Sequence, residues 1–104
     1  MATETRVVTF ANSEVIEALV EFCEQAKRPL PEGGVRQLTF SNDNQVKVML
    51  EPEKGDSVIT FHEHEVAAAL ILHCRKIGIP IARRAAKSLQ VGQGSVALHL
   101  TIRQ

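Results

Sequence analysis

Short runs of β-forming residues alternate along the chain with longer stretches of helical period. Val7-Val8-Thr9-Phe10 reads as the start of a strand. After it, Val15, Ala18, Leu19, Phe22, Cys23 and Ala26 fall at i, i+3, i+4, i+7, i+8 and i+11, one stripe of a helix of about four turns. Beyond Pro29 the period shortens to two. Val35, Leu38 and Phe40 lead into the turn residues Ser41-Asn42-Asp43-Asn44, and Val46, Val48 and Leu50 then alternate with Lys47, Met49 and Glu51. A strand, a helix and a hairpin are therefore predicted in that order.

The same order recurs after Glu51-Pro52-Glu53-Lys54-Gly55-Asp56-Ser57, whose charge, proline and glycine mark a surface connection. The second strand is Val58-Ile59-Thr60-Phe61, and the second stripe is Val66, Ala69, Leu70, His73, Cys74 and Ile77. Gly78 and Pro80 stop the helix, Leu89 and Val91 begin a hairpin, and Gly92-Gln93-Gly94-Ser95 turns it toward Val96, Leu98, Leu100 and Ile102. Aligning residues 7–40 with 58–91 without a gap makes ten of 34 positions identical, among them Phe10/Phe61, Glu14/Glu65, Cys23/Cys74 and Pro29/Pro80. Glu14 and Glu65 each fall in a first helical turn, where a carboxylate favours the positive end of the helix dipole, and Asn12 or Ser13 is placed to cap the first helix.

These patterns predict an α+β fold made of tandem duplicated β-α-β-β units. The units form one pseudo-two-fold domain, with antiparallel hairpins and two helices on one face of the sheet. Repeat 1 spans about residues 6–51, the connection 52–57 and repeat 2 about 58–104, in a single domain over 1–104. One copy of about 50 residues is marginal alone, so the two stripes are expected to share a core.

Where the copies differ, folding does not account for the residues, and function is sought there. Helix one carries Glu14, Glu17, Glu21 and Glu24 along its outer face. Helix two has Glu65, Ala68, Leu72 and Arg75 at those positions, and with Ala67 and Ile71 it is apolar almost all round. Two outcomes follow: the neighbouring helix and the loop after Pro80 cover it, or Ala67, Ala68, Ile71, Leu72 and Arg75 form a self-association or protein-partner surface, which points to a homodimer.

Charge splits the same way. The chain balances 12 basic against 12 acidic residues, yet residues 1–51 carry net −3 (five bases, eight acids) and residues 52–104 net +3 (seven bases, four acids). Arg75, Lys76, Arg83, Arg84 and Lys87 supply most of the excess, with no acid from position 66 onward. Arg83, Arg84 and Lys87 are accordingly candidates for anion or nucleic-acid binding in the segment 75–87, against the plainer outcome of a solvated basic face or one that meets the acidic helix. With no Trp or Tyr and all four Phe at expected core positions, a base-stacking platform is excluded.

Chemistry is thinly represented. His62-Glu63-His64-Glu65 lacks the i, i+4 histidine pair of a helical zinc site, so His62 and His64 are weak metal candidates. His73 replaces Phe22 on the core stripe and is expected to be packed and hydrogen-bonded. Cys23 and Cys74, inward-facing and repeat-equivalent, read as small core hydrophobes. No phosphate loop, nucleophile triad or cofactor motif is present, so a non-catalytic protein without a cofactor is expected. An enzymatic role would need a pocket joining His62, His64 or His99 to a carboxylate. No bilayer-spanning run or secretion signal is seen, and the cytoplasm is the expected compartment.

Overall fold

The computed structural model describes residues 2–28, 34–42, 46–54, 58–92 and 94–103, and of Arg36 and Asn42 only the backbone. Pro29, residues 43–44 of the first turn, 55–57 of the connection and Gln93 lie outside the described residues. Each predicted element forms. They are β1 (Thr3–Ala11), α1 (Asn12–Gln25), β2 (Val35–Asn42), β3 (Val46–Pro52), β4 (Ile59–His62), α2 (Glu63–Lys76), β5 (Ala86–Gly92) and β6 (Ser95–Arg103).

The strands build two three-stranded antiparallel sheets, ordered β1-β6-β5 and β2-β3-β4, where the sequence pattern suggested one. Each sheet joins the hairpin of one sequence copy to the leading strand of the other. β1 pairs with β6 so that Val8 faces Leu98 and Phe10 faces Val96, and β4 pairs with β3 so that Phe61 faces Val48 and Ile59 faces Leu50. A two-stranded hairpin is barely stable in water, and the third strand each one needs comes from the other half of the chain.

Period two and period 3.6 deliver their apolar residues to one place. Val46, Val48 and Leu50 of β3, Val96, Leu98 and Leu100 of β6, Val15, Leu19 and Cys23 of α1, and Val66, Leu70 and Cys74 of α2 are buried together around Phe10 and Phe61. The two helices pack on each other and on the strands.

The helix ends show how the copies carry out one task with different residues. α1 starts after Ala11, which has no side-chain acceptor, and Asn12 lies inside the first turn with its Oδ1 buried and unpartnered. Glu14 does the capping instead, accepting the Ala11 backbone N–H at 3.1 Å. Glu65 accepts the His62 N–H at the same 3.1 Å. At the other end, residues C-terminal to each helix close on the last turn: Arg28 N–H to the Cys23 carbonyl at 2.9 Å, and Ile79 N–H to that of Cys74 at 2.7 Å. Both closures need a residue with positive φ, which is Gly78 (86°) after α2 and Lys27 (56°) after α1.

Only Glu65 does a second job, because its other carboxylate oxygen pairs with Arg28, which arrives from the end of α1. Glu14→Ala is therefore expected to cost about 0.5–1 kcal/mol from the lost cap alone. Glu65→Ala should cost about 1–2 kcal/mol, since a half-buried charge-assisted bond is lost with the cap. Urea unfolding at constant slope measures both, and equal losses would mean that the Arg28 pair contributes nothing.

Candidate functional site

Helix α2 is held from two sides. Lys76 Nζ donates to Glu21 Oε1 of α1 at 2.7 Å, and this bond, with Glu17 and Glu24 nearby, holds the Lys76 ammonium above its ordinary pKa. The acidic stripe of the first copy thus meets the basic end of the second helix within one chain. Ile79 and Ile81 of the following loop pack against the core, and Arg6 of β1 ties that loop down by donating to the Pro80 carbonyl at 2.9 Å. Ala67, Ala68, Ile71 and Leu72 are half-buried, while Arg75 is exposed.

Part of that surface is left as a groove. Glu63, His64, Ala67, Ala68 and Ile71 of α2 and Lys87, Ser88 and Leu89 of β5 line a depression of about 330 Å³. The helical residues share one stripe. The three strand residues are consecutive, and consecutive side chains point to opposite faces, so a depression touching all three runs along the edge of β5. That edge is open: β5 bonds to β6 on one side, and no strand of the described residues pairs with its other side. A strand edge presents unpaired backbone donors and acceptors, and the Ala67 and Ala68 side chains opposite are small enough to let another backbone approach. Leu72 and Arg75 lie outside this lining.

The groove is apolar in its floor and polar at its rim. Lys87 Nζ donates to the Ala85 carbonyl at 2.8 Å and to that of Arg83 at 3.2 Å, which pins its ammonium to the preceding loop. Glu63 and His64, a carboxylate and an imidazole, are both present. Among the described residues no hydrogen bond links them to each other, to Ser88 or to Lys87, so no base and nucleophile are coupled there.

Lys87 lines the groove and its ammonium sits on the Arg83 carbonyl, but Arg84 is not part of that lining. Arg84 instead lines a separate, open depression of about 590 Å³ with Ala86, Thr101 and Arg103. Thr101 and Arg103 escaped the sequence reading, although alternation around Val96, Leu98 and Leu100 already assigns them to the face of β6 away from the core.

The remaining candidates fall to structural roles or stay apart. The His62 and His64 rings stack at 6.1 Å between centroids, both exposed. No group of three or more metal-binding side chains occurs among the described residues. His99 faces Val7 and Ser88 across the sheet, neither of them acidic. His73 is packed edge-on against Phe10 at 6.2 Å, as its place on the core stripe implied, but its Nδ1 is buried without a hydrogen-bond partner, contrary to expectation. Its ring contact is with Phe10, whose hydrocarbon ring offers the nitrogen no conventional hydrogen-bond partner. Burial pushes the Cys23 and Cys74 thiols up, against the weaker pull of Arg28 and Arg6 respectively, so both stay protonated at neutral pH. No helix among the described residues is long and apolar enough to cross a membrane. Comparison with protein-family models, with curated proteins and with solved structures yields no match to this chain.

Proposed function

We propose that the protein is a non-catalytic interaction module that self-associates, with a second copy of the chain as the occupant of the α2–β5 edge. Two copies related by a two-fold axis through Leu89 would lay their β5 edges antiparallel and merge the β1-β6-β5 sheets into one of six strands. The observation that carries this is the open edge of β5 beside the small-residue stripe of α2.

The strand is compatible with itself in that arrangement. With Leu89 opposite Leu89, Ser88 meets Gln90 and Lys87 meets Val91, so no like charges face each other. The same axis brings the two α2 helices toward each other through Ala67, Ala68 and Ile71, with Leu72 and Arg75 at the margin. Apolar surface that one copy leaves half-covered is then covered by the other.

Sedimentation velocity across a concentration series is expected to show a dimer at tens of micromolar. Ala68→Glu, which puts a carboxylate beside its own symmetry mate, should convert it to a monomer while the thermal midpoint of that monomer stays within a few degrees of the parent. A parent that remains monomeric at high concentration, or an Ala68→Glu variant that still dimerises, overturns the proposal.

A further inference from the structure

The open depression at the end of the β5–β6 ladder has a property that a solvated surface does not require. Ala86, the first residue of β5, stands opposite Thr101 of β6, and Arg84 lies in the turn just before the strand, at the end of the ladder where β6 finishes with Arg103. Ile102 packs against the core, so its neighbour Arg103 falls on the outer face of β6, and Arg84 is exposed. Both side chains line the same depression, with the Thr101 hydroxyl group between them in sequence order and Ala86 as an apolar wall.

Like charges lining one depression repel. Among the described residues neither guanidinium has a hydrogen-bond or ion-pair partner. No acid follows Glu65 in the sequence, so neither β5, β6 nor the loop before them can supply one. The acid of β1, Glu4, stands opposite Ile102 and so belongs to the other face of the sheet from Arg103.

We infer that this depression binds a dianionic phosphate group, in the form of a small phosphomonoester. Two guanidinium groups match a dianion in charge, each can donate two parallel N–H bonds to its oxygens, and the Thr101 hydroxyl adds a further donor. A volume of about 590 Å³ leaves room for the alcohol portion of such an ester. The chain's lack of Trp and Tyr, with Phe10 and Phe61 fully buried, disfavours a nucleic acid, whose unpaired bases would need a stacking surface.

The test is a titration of the full-length chain with inorganic phosphate and with glycerol phosphate, at ionic strength matched by chloride, read by amide chemical shifts and by the thermal midpoint. Both ligands should shift the amides of Arg84, Thr101 and Arg103 and raise the midpoint, because binding to the folded state alone stabilises it. Arg84→Ala and Arg103→Ala should each weaken binding roughly tenfold. In chloride alone the same variants should be at least as stable as the parent, since each removes one of two opposed charges; a generally damaging substitution would not give that reversal. Three results overturn the inference: no response to phosphate at about 20 mM, a response unchanged in the double variant, or binding of inorganic phosphate no stronger than sulfate together with tighter, steeply salt-dependent binding of duplex DNA, the mark of a backbone-tracking surface.

Discussion

Phe61→Ala is expected to remove about half of the protein's stability. Phe61 is fully buried on β4, the four-residue strand through which the second copy enters the β2-β3-β4 sheet. Its ring touches the first copy on two sides: Phe22 of α1 meets it edge-on at 6.5 Å between centroids, and the Arg28 guanidinium lies 4.7 Å above its centroid. Truncating a buried phenylalanine costs about 3–5 kcal/mol, out of about 5–15 kcal/mol for a domain of this size. Arg28 would also lose the ring beneath it, worth about 0.5–1 kcal/mol at a partly exposed site, and would hold Glu65 less firmly. Urea unfolding should show a much lower midpoint for Phe61→Ala and a smaller fall for Phe61→Leu. A loss below about 1 kcal/mol for the alanine variant would mean that the ring does not bind the two halves together.

The second large effect has the opposite sign. His73→Leu is expected to stabilise the protein by about 1 kcal/mol. His73 is 4% exposed and its Nδ1 lacks a partner, and a buried polar atom left unsatisfied costs about 1–3 kcal/mol. Leucine fits the apolar surroundings but gives up the edge contact with Phe10, worth about 0.5–1.5 kcal/mol, so a modest net gain remains. For a chain of 104 residues that gain corresponds to a rise of about 4–8 °C in the thermal midpoint. A fall instead would mean that the ring contact with Phe10 outweighs the cost of the unsatisfied nitrogen. The position also separates the two copies, because its counterpart Phe22 meets Phe61 as His73 meets Phe10, with a ring that has no polar atom to satisfy.

Much of the candidate site could be read in part. The apolar excess of α2 and the unopposed cations of residues 75–87 were visible as departures of one copy from the other. Their consequences were not. Lys76 turns to Glu21 and Lys87 to two carbonyl groups, while Arg84 and Arg103, nineteen positions apart in the chain, line one depression at the end of the β5–β6 hairpin. Glu63 and His64, read as part of a metal-like cluster, instead form the rim of a groove with Ala67 and Ala68.

The order of elements, the inward residues of each and the place of Glu14 and Glu65 in the first helical turns follow from local spacing, because helix and strand periods and the electrostatics of a helix end act over a few residues. Even there, identity can mislead: Lys27 adopts the left-handed conformation that Gly78 announces openly, since the same closing hydrogen bonds form after both helices. Strand partnership is different in kind. An apolar alternation such as Val7–Phe10 says which side of a strand is buried but carries no information about which hairpin lies beside it, and either hairpin would satisfy its backbone. The choice of the other copy's hairpin, hence two sheets in place of one, the Arg28 bridge to Glu65, the open edge of β5 and the meeting of two arginines, is made only when both halves compete for a common core.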